Sequence, residues 1–341
     1  SVSQWLEWDR RPACLRRAQR VAMQKEEQTP SSKRVKRKTV QTRDGARRIR
    51  RRRERPLVVL SLPSADQRAM HAMVELAREL EWDLVDLEIT GGVLLSDRQP
   101  AGALVNHALT GEFWPRLQKR GCPIVRYGSW PHELDDGLPS VLLDQVEMGC
   151  IAADHFAGRG FKNVAYGGRG PTNPDNPYHP MIQAFQQRGV ELGISVDFCT
   201  LKPGKGKKES SAERVERHLV EFDAWIAGLP KPIGIFSFSD AYTTRLCALS
   251  MAAGLRVPEE VALLSMGNSH VCELSPVPLS AIDSHVDEKG RQSLLLLQRL
   301  MRGEDAPTKP IMISPSGVIE RRSTDLLAVA DPRVAKAMRF M

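Results

Sequence analysis

The sequence predicts an α/β protein built from two doubly wound lobes, each with a parallel sheet, and a cleft between them. Continuous apolar runs of strand length, such as "PLVVLSLP" and "IGIFSFS", have the composition of strands buried on both faces. Such runs alternate with helical segments in two consecutive units of about 100 residues each, which is typical of parallel sheets. A late helix and further strands are left over, and they predict several crossovers between the lobes.

The first unit begins at Pro56. After the strand "PLVVLSLP" and a polar loop comes the helix "AMHAMVELAREL", in which Met70, Met73, Ala77 and Leu80 recur at helical spacing. The remaining elements follow in order: strand "WDLVDLEI", strand "AGALVNHA", helix "GEFWPRLQKRG" and strand "CPIVRYG". Because strands and helices alternate throughout, we expect this unit to be the first lobe.

The second unit repeats the same order. Its predicted strands are "SVLLDQ", "KNVAYGG", "FCTL", "IGIFSFS" and "VALLSMGN". Its predicted helices are "VEMGCIAADHFAGRG", "PYHPMIQAFQQRGVELG", "SSAERVERHLVEFDAWIAG" and "YTTRLCALSMAAGL". The strand "LSAIDSH", the long helix "EKGRQSLLLLQRLMRGE" and the strand pair "KPIMISP" and "GVIERRS" complete the unit.

The positive charge of the chain is concentrated at its N-terminus. Residues 1–55 carry a net charge of +13, whereas the whole chain carries +8, so the remainder is mildly acidic. With few apolar residues between its charges, this segment is predicted to be a disordered extension. One interpretation gives it no role, and the other makes it a nucleic-acid-binding arm through Arg50, Arg51, Arg52 and Arg53.

The sequence lacks the motifs of common enzyme classes. It contains no P-loop, nucleophile elbow, zinc-protease motif or dinucleotide fingerprint, so we expect no enzyme and no cofactor. The six cysteines and eight histidines are scattered without metal-ligand spacing, and we expect no metal. No signal peptide or membrane-spanning run is visible, which favours a cytoplasmic protein.

Three segments resemble the effector-binding half of the lac/gal repressor family. They are "VLLDQVEMGCIAADHFAGRGFKNVAYGG", "IGIFSFSDAYTTRLCALSMAAGLRVPEEVALLSMGN" and "LSAIDSHVDEKGRQSLLLLQRLMRG". The resemblance implies two Rossmann-like lobes of the type I periplasmic-binding-protein-like fold over residues 56–325. It places the first lobe at about 56–160 and 284–308, and the second at about 161–283 and 309–325.

The tail "VIERRSTDLLAVADPRVAKAMRFM" resembles the junction in bacterial xylose operon regulators, where a sugar-sensing half precedes an AraC-type DNA-binding domain. The resemblance implies a homodimeric regulator that binds a sugar, such as xylose or another pentose, and operator DNA. Asp331 and Pro332 are suited to begin a helix, so residues 326–341 are expected to be a linker and the first helix of a truncated DNA-binding domain. The alternative is a free C-terminal helix that packs on the body.

Polar side chains at the predicted strand ends are the candidates for binding a sugar in the cleft. They are Asp66, Arg68, Ser129, Trp130, Asn173, Asp175, Asn176, Tyr178, Ser239, Asp240, Asn268 and His270. Structural roles remain open for several of them. Asp66 and Asp240 could cap helices, the residues between the prolines of "GPTNPDNPYHP" could form turns, and Trp130 and Tyr178 could serve packing alone.

Two positions depart from the pattern of the family. Relatives commonly carry an Asp where Gly267 stands and an Arg near Met181, and both residues usually grip sugar hydroxyls. The departures leave the identity of the ligand open. A stand-alone solute-binding protein of the same fold is the alternative to a regulator, and the missing export signal and the "VIERRSTD" junction argue against it.

Overall fold

A computed structural model describes residues 55–62, 67–90, 98–106, 114–128, 137–168, 179–199 and 211–326. These residues form two six-stranded sheets, each in its own lobe, with helices on both faces. The predicted α/β fold class is thereby confirmed. Within the described residues no helix is both long and apolar enough to cross a membrane.

The first lobe has the strand order β11-β5-β4-β3-β1-β2, and all of its pairs are parallel. Its strands are β1 (Leu57–Ser61), β2 (Asp83–Asp86), β3 (Gly102–Val105), β4 (Ile124–Tyr127), β5 (Ser140–Leu143) and β11 (Ile311–Ile313). Its helices are α1 (Gln67–Glu79), α2 (Leu87–Thr90), α3 (Trp114–Arg120) and α9 (Val286–Met301). Every residue of β1 is buried, as its unbroken apolar run predicts.

The predicted strand "WDLVDLEI" is shorter in the structure and gives way to the helical turn α2. The carboxylate of Asp86 accepts a hydrogen bond from the backbone N–H of Ile89 (3.1 Å) and so satisfies a donor at the start of the turn. The apolar residues after Asp86 therefore belong to a helix, and Leu87 packs on the outer face of the sheet.

The second lobe has the strand order β12-β10-β9-β8-β6-β7, in which only the β10–β12 pair is antiparallel. Its strands are β6 (Asn163–Gly167), β7 (Ser195–Cys199), β8 (Ile233–Ser237), β9 (Val261–Met266), β10 (Ser280–Ile282) and β12 (Val318–Ile319). Its helices are α4 (Gln145–Gly158), α5 (His179–Glu191), α6 (Ser211–Ala227), α7 (Asp240–Ala252) and α8 (Val271–Leu274), followed by a 3₁₀ turn (Arg322–Thr324).

Helices α4 and α5 pack so closely that a glycine is required between them. A Cβ atom at Gly149 would lie 2.3 Å from the carbonyl oxygen of Met181 and 2.8 Å from the backbone nitrogen of Phe185. No side chain fits at such a distance, so the missing Cβ lets the two backbones approach. Asp144 begins α4 by accepting a hydrogen bond from the N–H of Glu147 (3.0 Å).

Three chain crossings join the lobes within the described residues: β5 to α4, β10 to α9, and β11 to β12. They hydrogen-bond to one another, since Asp144 N–H donates to Ile313 O (2.9 Å) and Ser316 N–H to Asp283 O (3.0 Å). Two predicted lobe boundaries were wrong: the first lobe does not extend to residue 160, and the second lobe does not resume at residue 309. Helix α4 packs on α5 in the second lobe because Gly149 allows it, and β11 pairs with β5 in the first sheet.

Candidate functional site

The side chain of Arg68 reaches from the first lobe to the second. Arg68 lies in the first turn of α1, and its guanidinium donates hydrogen bonds to Asp283 Oδ1 (2.9 Å) and Asp287 Oδ1 (2.9 Å). It also donates to the carbonyl oxygen of Gly267 (3.3 Å), which follows β9 in the other lobe. The planar guanidinium with five N–H groups suits such a set of acceptors. Arg68 therefore contacts both lobes and the crossing between β10 and α9.

Asp283 directly follows β10 and lies on the crossing into the first lobe. Besides Arg68, its carboxylate accepts hydrogen bonds from Asn268 Nδ2 (3.3 Å) and from the backbone N–H of His285 (3.2 Å). Partial burial favours a higher pKa for Asp283, but the hydrogen bonds from Arg68, His285 and Asn268 outweigh it and lower the pKa below its usual value. Asp283 is therefore a carboxylate anion at neutral pH.

Asn268 adopts a left-handed backbone conformation, with φ of 57°, in the loop after β9. Asparagine tolerates this region better than most residues. Its amide oxygen accepts a hydrogen bond from Arg321 Nη2 (2.8 Å), while its amide nitrogen donates to Asp283. We call Arg68, Asn268, Asp283 and Asp287 the boundary cluster, because they join the two lobes at the carboxyl ends of their strands.

The structure explains why position 267 does not carry an Asp. Gly267 has φ of 130°, and a Cβ atom there would lie 3.1 Å from Asp240 Oδ2. A carboxylate at this position would need a strained backbone and would repel Asp240. Met181, near which relatives carry an Arg, also departs from the family pattern. Its side chain is fully buried and offers no polar group to a ligand.

Ser239 and Asp240, both predicted to bind ligand, are engaged inside the second lobe. Ser239 caps α7 by accepting a hydrogen bond from the N–H of Tyr242 (3.2 Å), so the capping role suggested for Asp240 belongs to Ser239. Asp240 is the first helical residue, and its carboxylate accepts from Ser265 Oγ (2.5 Å) and from Ser269 N–H (2.8 Å). Asp240 therefore holds the loop that carries Asn268.

His270 follows this loop and is exposed. Together with residues of α1 and α9 it borders an open cavity of about 450 Å³. The cavity is lined by Gln67, Arg68, His71, Ala72, Glu75, His270, Asp287 and Arg291. The structure thus brings three of the predicted residues, Arg68, Asn268 and His270, to one place at the lobe boundary.

The other predicted residues lie outside the described residues. They are Asp66, Ser129, Trp130, Asn173, Asp175, Asn176 and Tyr178 in the proposed cleft, and Arg50 to Arg53 in the basic segment. The predicted helix after Asp331 also lies outside them.

Sequence reasoning missed Asp283, Asp287 and Arg321. The signal for Asp283 was present, because it directly follows the strand "LSAI", and the same rule had selected Asn268 after β9. Arg321 had no such signal, because it follows an edge strand that pairs antiparallel with β10. Its contact with Asn268 depends on a tertiary pairing that local sequence patterns do not specify.

Two buried hydroxyl groups also lie at strand ends near the lobe boundary. Ser61 ends β1 and Ser237 ends β8, and both side chains are fully buried with no hydrogen-bond partner among the residues that the structure describes. A buried hydroxyl without a partner costs about 1–3 kcal/mol, which proteins usually avoid.

The segment from Val318 to Asp325, here called the exit segment, is anchored in the second lobe by buried hydroxyl groups. Ser323 Oγ donates to Leu263 O (2.6 Å) and accepts from Ser280 N–H (2.8 Å). Thr324 Oγ1 donates to Ser280 Oγ (2.7 Å). These three residues, Ser280, Ser323 and Thr324, form a hydroxyl network whose members are all completely buried.

His155 of helix α4 and Arg159, which directly follows the helix, join the same network. His155 Nε2 lies 3.0 Å from Thr324 Oγ1, and Arg159 Nη1 lies 3.0 Å from His155 Nδ1. A guanidinium can only donate, so Nδ1 accepts and the ring proton is on Nε2. Burial and the positive charge of Arg159 lower the pKa of His155 to about 4. The imidazole is therefore neutral at neutral pH.

The family model described as "Periplasmic binding protein-like domain" matches residues 153–324, about half of the chain. The chain belongs to this family. Its two sheets, parallel except for the β10–β12 pair, and the three crossings between the described parts of the lobes agree with the match, and the predicted periplasmic-binding-protein-like fold is confirmed.

Two of the similar proteins are xylose regulators. The xylose operon regulatory protein of Escherichia coli K12 is 33% identical over 118 residues, which are 34% of this chain and 30% of that protein. The solved "structure of xylose-binding transcription activator xylR" matches with a TM-score of 0.68 at 22% identity, over 84% of this chain and 74% of that one. The predicted resemblance to xylose operon regulators is therefore confirmed, although the match spans less than a third of the E. coli protein.

A third relative is known with a sugar bound. It is a periplasmic binding protein/LacI transcriptional regulator from Alkaliphilus metalliredigens QYMF, complexed with D-xylulofuranose. The chains match with a TM-score of 0.61 at 17% identity, over 79% of this chain and 99% of that one. At this identity the likeness concerns the fold.

Proposed function

We propose that this chain is the ligand-sensing part of a bacterial transcription regulator and that it binds a sugar between its two lobes. The observation that carries the proposal is the boundary cluster, in which Arg68 of the first lobe and Asn268 of the second share Asp283. Carboxylates, amides and guanidinium groups are the side chains that bind the hydroxyls of a sugar. Strand carboxyl ends are where α/β sheets bind ligands.

The ligand class in this proposal is a sugar such as xylose or another pentose. Asp283 supplies the carboxylate that an Asp at position 267 would otherwise supply, from the neighbouring strand end. The residues predicted from sequence around the same cleft, including Trp130 and Tyr178, remain part of the proposal.

The regulator in this proposal is a cytoplasmic homodimer without catalytic activity or cofactor. Its operator DNA is contacted by an AraC-type domain that follows the exit segment, and Arg50 to Arg53 add weak, salt-sensitive contacts to DNA. A sugar changes DNA binding only through a different affinity for two arrangements of the lobes. The similarity to xylose operon regulators supports this assignment.

A thermal-shift screen of the chain against pentoses, hexoses and sugar acids tests the proposal. A ligand at a hundred times its Kd stabilises the folded state by about 2.7 kcal/mol. For a domain of this size that should raise Tm by about 5 °C. No rise with any sugar at 10 mM would contradict the proposed ligand class.

Two variants locate the site. Asp283→Asn keeps the shape of the side chain and removes its charge, so we expect the shift to disappear. Arg78→Ala, on the exposed face of the same helix as Arg68, should keep it. A shift that survives Asp283→Asn would place the sugar elsewhere in the molecule.

A further inference from the structure

Four side chains form a continuous hydrogen-bonded path from the first lobe to the exit segment. Arg68 on α1 donates to Asp283 (2.9 Å), and Asn268 Nδ2 donates to the same carboxylate (3.3 Å). Arg321 Nη2 then donates to the amide oxygen of Asn268 (2.8 Å). The path starts in the first lobe, passes the crossing after β10 and the loop after β9, and ends beyond β12.

Arg321 holds the exit segment on both sides of its own backbone. Its N–H donates to Ser280 Oγ (2.9 Å), and its carbonyl oxygen accepts from the same hydroxyl (2.9 Å). Its Nη1 also donates to the carbonyl oxygen of Leu279 (3.0 Å). The guanidinium therefore contacts both Asn268 and the start of β10, while the backbone of the same residue is bound to Ser280.

A single amide group connects the two halves of the path. The oxygen of Asn268 faces Arg321 and its nitrogen faces Asp283, so rotation of this amide breaks both hydrogen bonds together. Arg321 has a second acceptor, because Nη2 lies 3.7 Å from Glu273 Oε1. Glu273 is exposed, so it can remain an ion-pair partner of Arg321 if the hydrogen bond to Asn268 is lost.

We propose that Arg321 is a positioning residue that couples the boundary cluster to the exit segment. A group that competes for Arg68 or Asp283, such as the hydroxyls of a polyol, releases the Asn268 amide and lets Arg321 shift. This extends the proposed function by giving the sugar site a physical link to the part of the chain that follows the lobes. A link of this kind is established only by measured energetic coupling.

Hydrogen exchange of the 341-residue chain tests the coupling without any sugar. The peptides to follow cover the exit segment, and those covering β8 serve as an internal reference. Arg68→Ala should speed exchange in the exit segment by about five-fold, the lower end of typical coupling between sites. Exchange in β8 should not change, because β8 is buried in the centre of its sheet.

A second variant shows whether the effect passes through Asn268. Asn268→Gly removes the amide and keeps the left-handed backbone accessible. In this background Arg68→Ala should no longer alter the exit segment, and Arg78→Ala should alter it in neither background. Asp283→Asn breaks the same path and replaces Arg68→Ala if that variant does not fold.

The proposal is overturned if Arg68→Ala leaves the exit segment unchanged, or if it acts equally with and without Asn268. Failure of this coupling is distinguishable from failure of sugar binding. The sugar screen is read from Tm of the unaltered chain, whereas the coupling is read from exchange rates of variants without sugar.

Discussion

The hydroxyl network and the boundary cluster solve the same structural problem with different chemistry. Both join segments that are distant in the sequence. The hydroxyl network uses neutral groups that are completely buried, and each of its three side chains has a partner. Three of the four residues of the boundary cluster are charged and keep contact with water, since the side chains of Arg68, Asp287 and Asp283 are 32%, 46% and 15% exposed.

This difference indicates which junction can rearrange. Breaking a buried hydrogen bond leaves a polar group without water, so the hydroxyl network is expected to be permanent. The groups of the boundary cluster can give up their contacts with each other and bind water or ligand hydroxyls instead. The free-energy cost is small, because exposed ion pairs contribute about 0–1 kcal/mol. The molecule therefore keeps Ser323 and Thr324 fixed to the second lobe, whereas the boundary cluster and the side chain of Arg321 bound to it are adjustable.

The largest expected effect is the loss of folding stability that His155 causes at low pH. The pKa of His155 is about 4 in the folded protein against 6.5 for a free side chain. Below pH 6.5 the unfolded chain binds a proton that the folded protein does not, so the free energy of unfolding falls as pH falls to 4. The loss should be about 3 kcal/mol. Urea unfolding at several pH values measures it.

His155→Gln is the control for this pH dependence. Glutamine does not titrate, and its amide can donate to Thr324 and accept from Arg159 as the imidazole does. The decline in stability between pH 6.5 and 4 should therefore be smaller in the variant by about 3 kcal/mol. Parallel pH profiles for the two proteins would show that the neutral network does not depend on the imidazole.

The second effect concerns Ser323 at the centre of the hydroxyl network. Ser323→Ala leaves the N–H of Ser280 and the carbonyl of Leu263 buried without this partner, which should reduce the free energy of unfolding by about 2 kcal/mol. Ser195→Ala is the matched control, because Ser195 is exposed at the start of β7. That variant should stay within about 0.5 kcal/mol of the parent. Equal effects of the two substitutions would remove the distinction between the hydroxyl network and an ordinary surface.

The sequence predicts the fold better than the site. Buried parallel strands appear as unbroken apolar runs, so β1, β8 and β9 can be predicted directly from the sequence. The lobe to which α4 belongs could not be predicted, because it depends on the close approach of α4 and α5 at Gly149. Arg68 and Asn268 could be predicted because they follow buried strands in the sequence, whereas Arg321 was missed because its role depends on the antiparallel pairing of β12 with β10.

The smallest expected effect concerns Arg68. Because its side chain is 32% exposed, Arg68→Ala should lower the free energy of unfolding by only about 1 kcal/mol at low salt. The loss should shrink in 0.5 M NaCl, since the partner Asp287 is also exposed and its attraction to Arg68 is screened. Arg78→Ala on the same helix should change little at either salt concentration. A loss for Arg68→Ala that is as large as that for Ser323→Ala and independent of salt would mean that the lobe boundary is as fixed as the hydroxyl network.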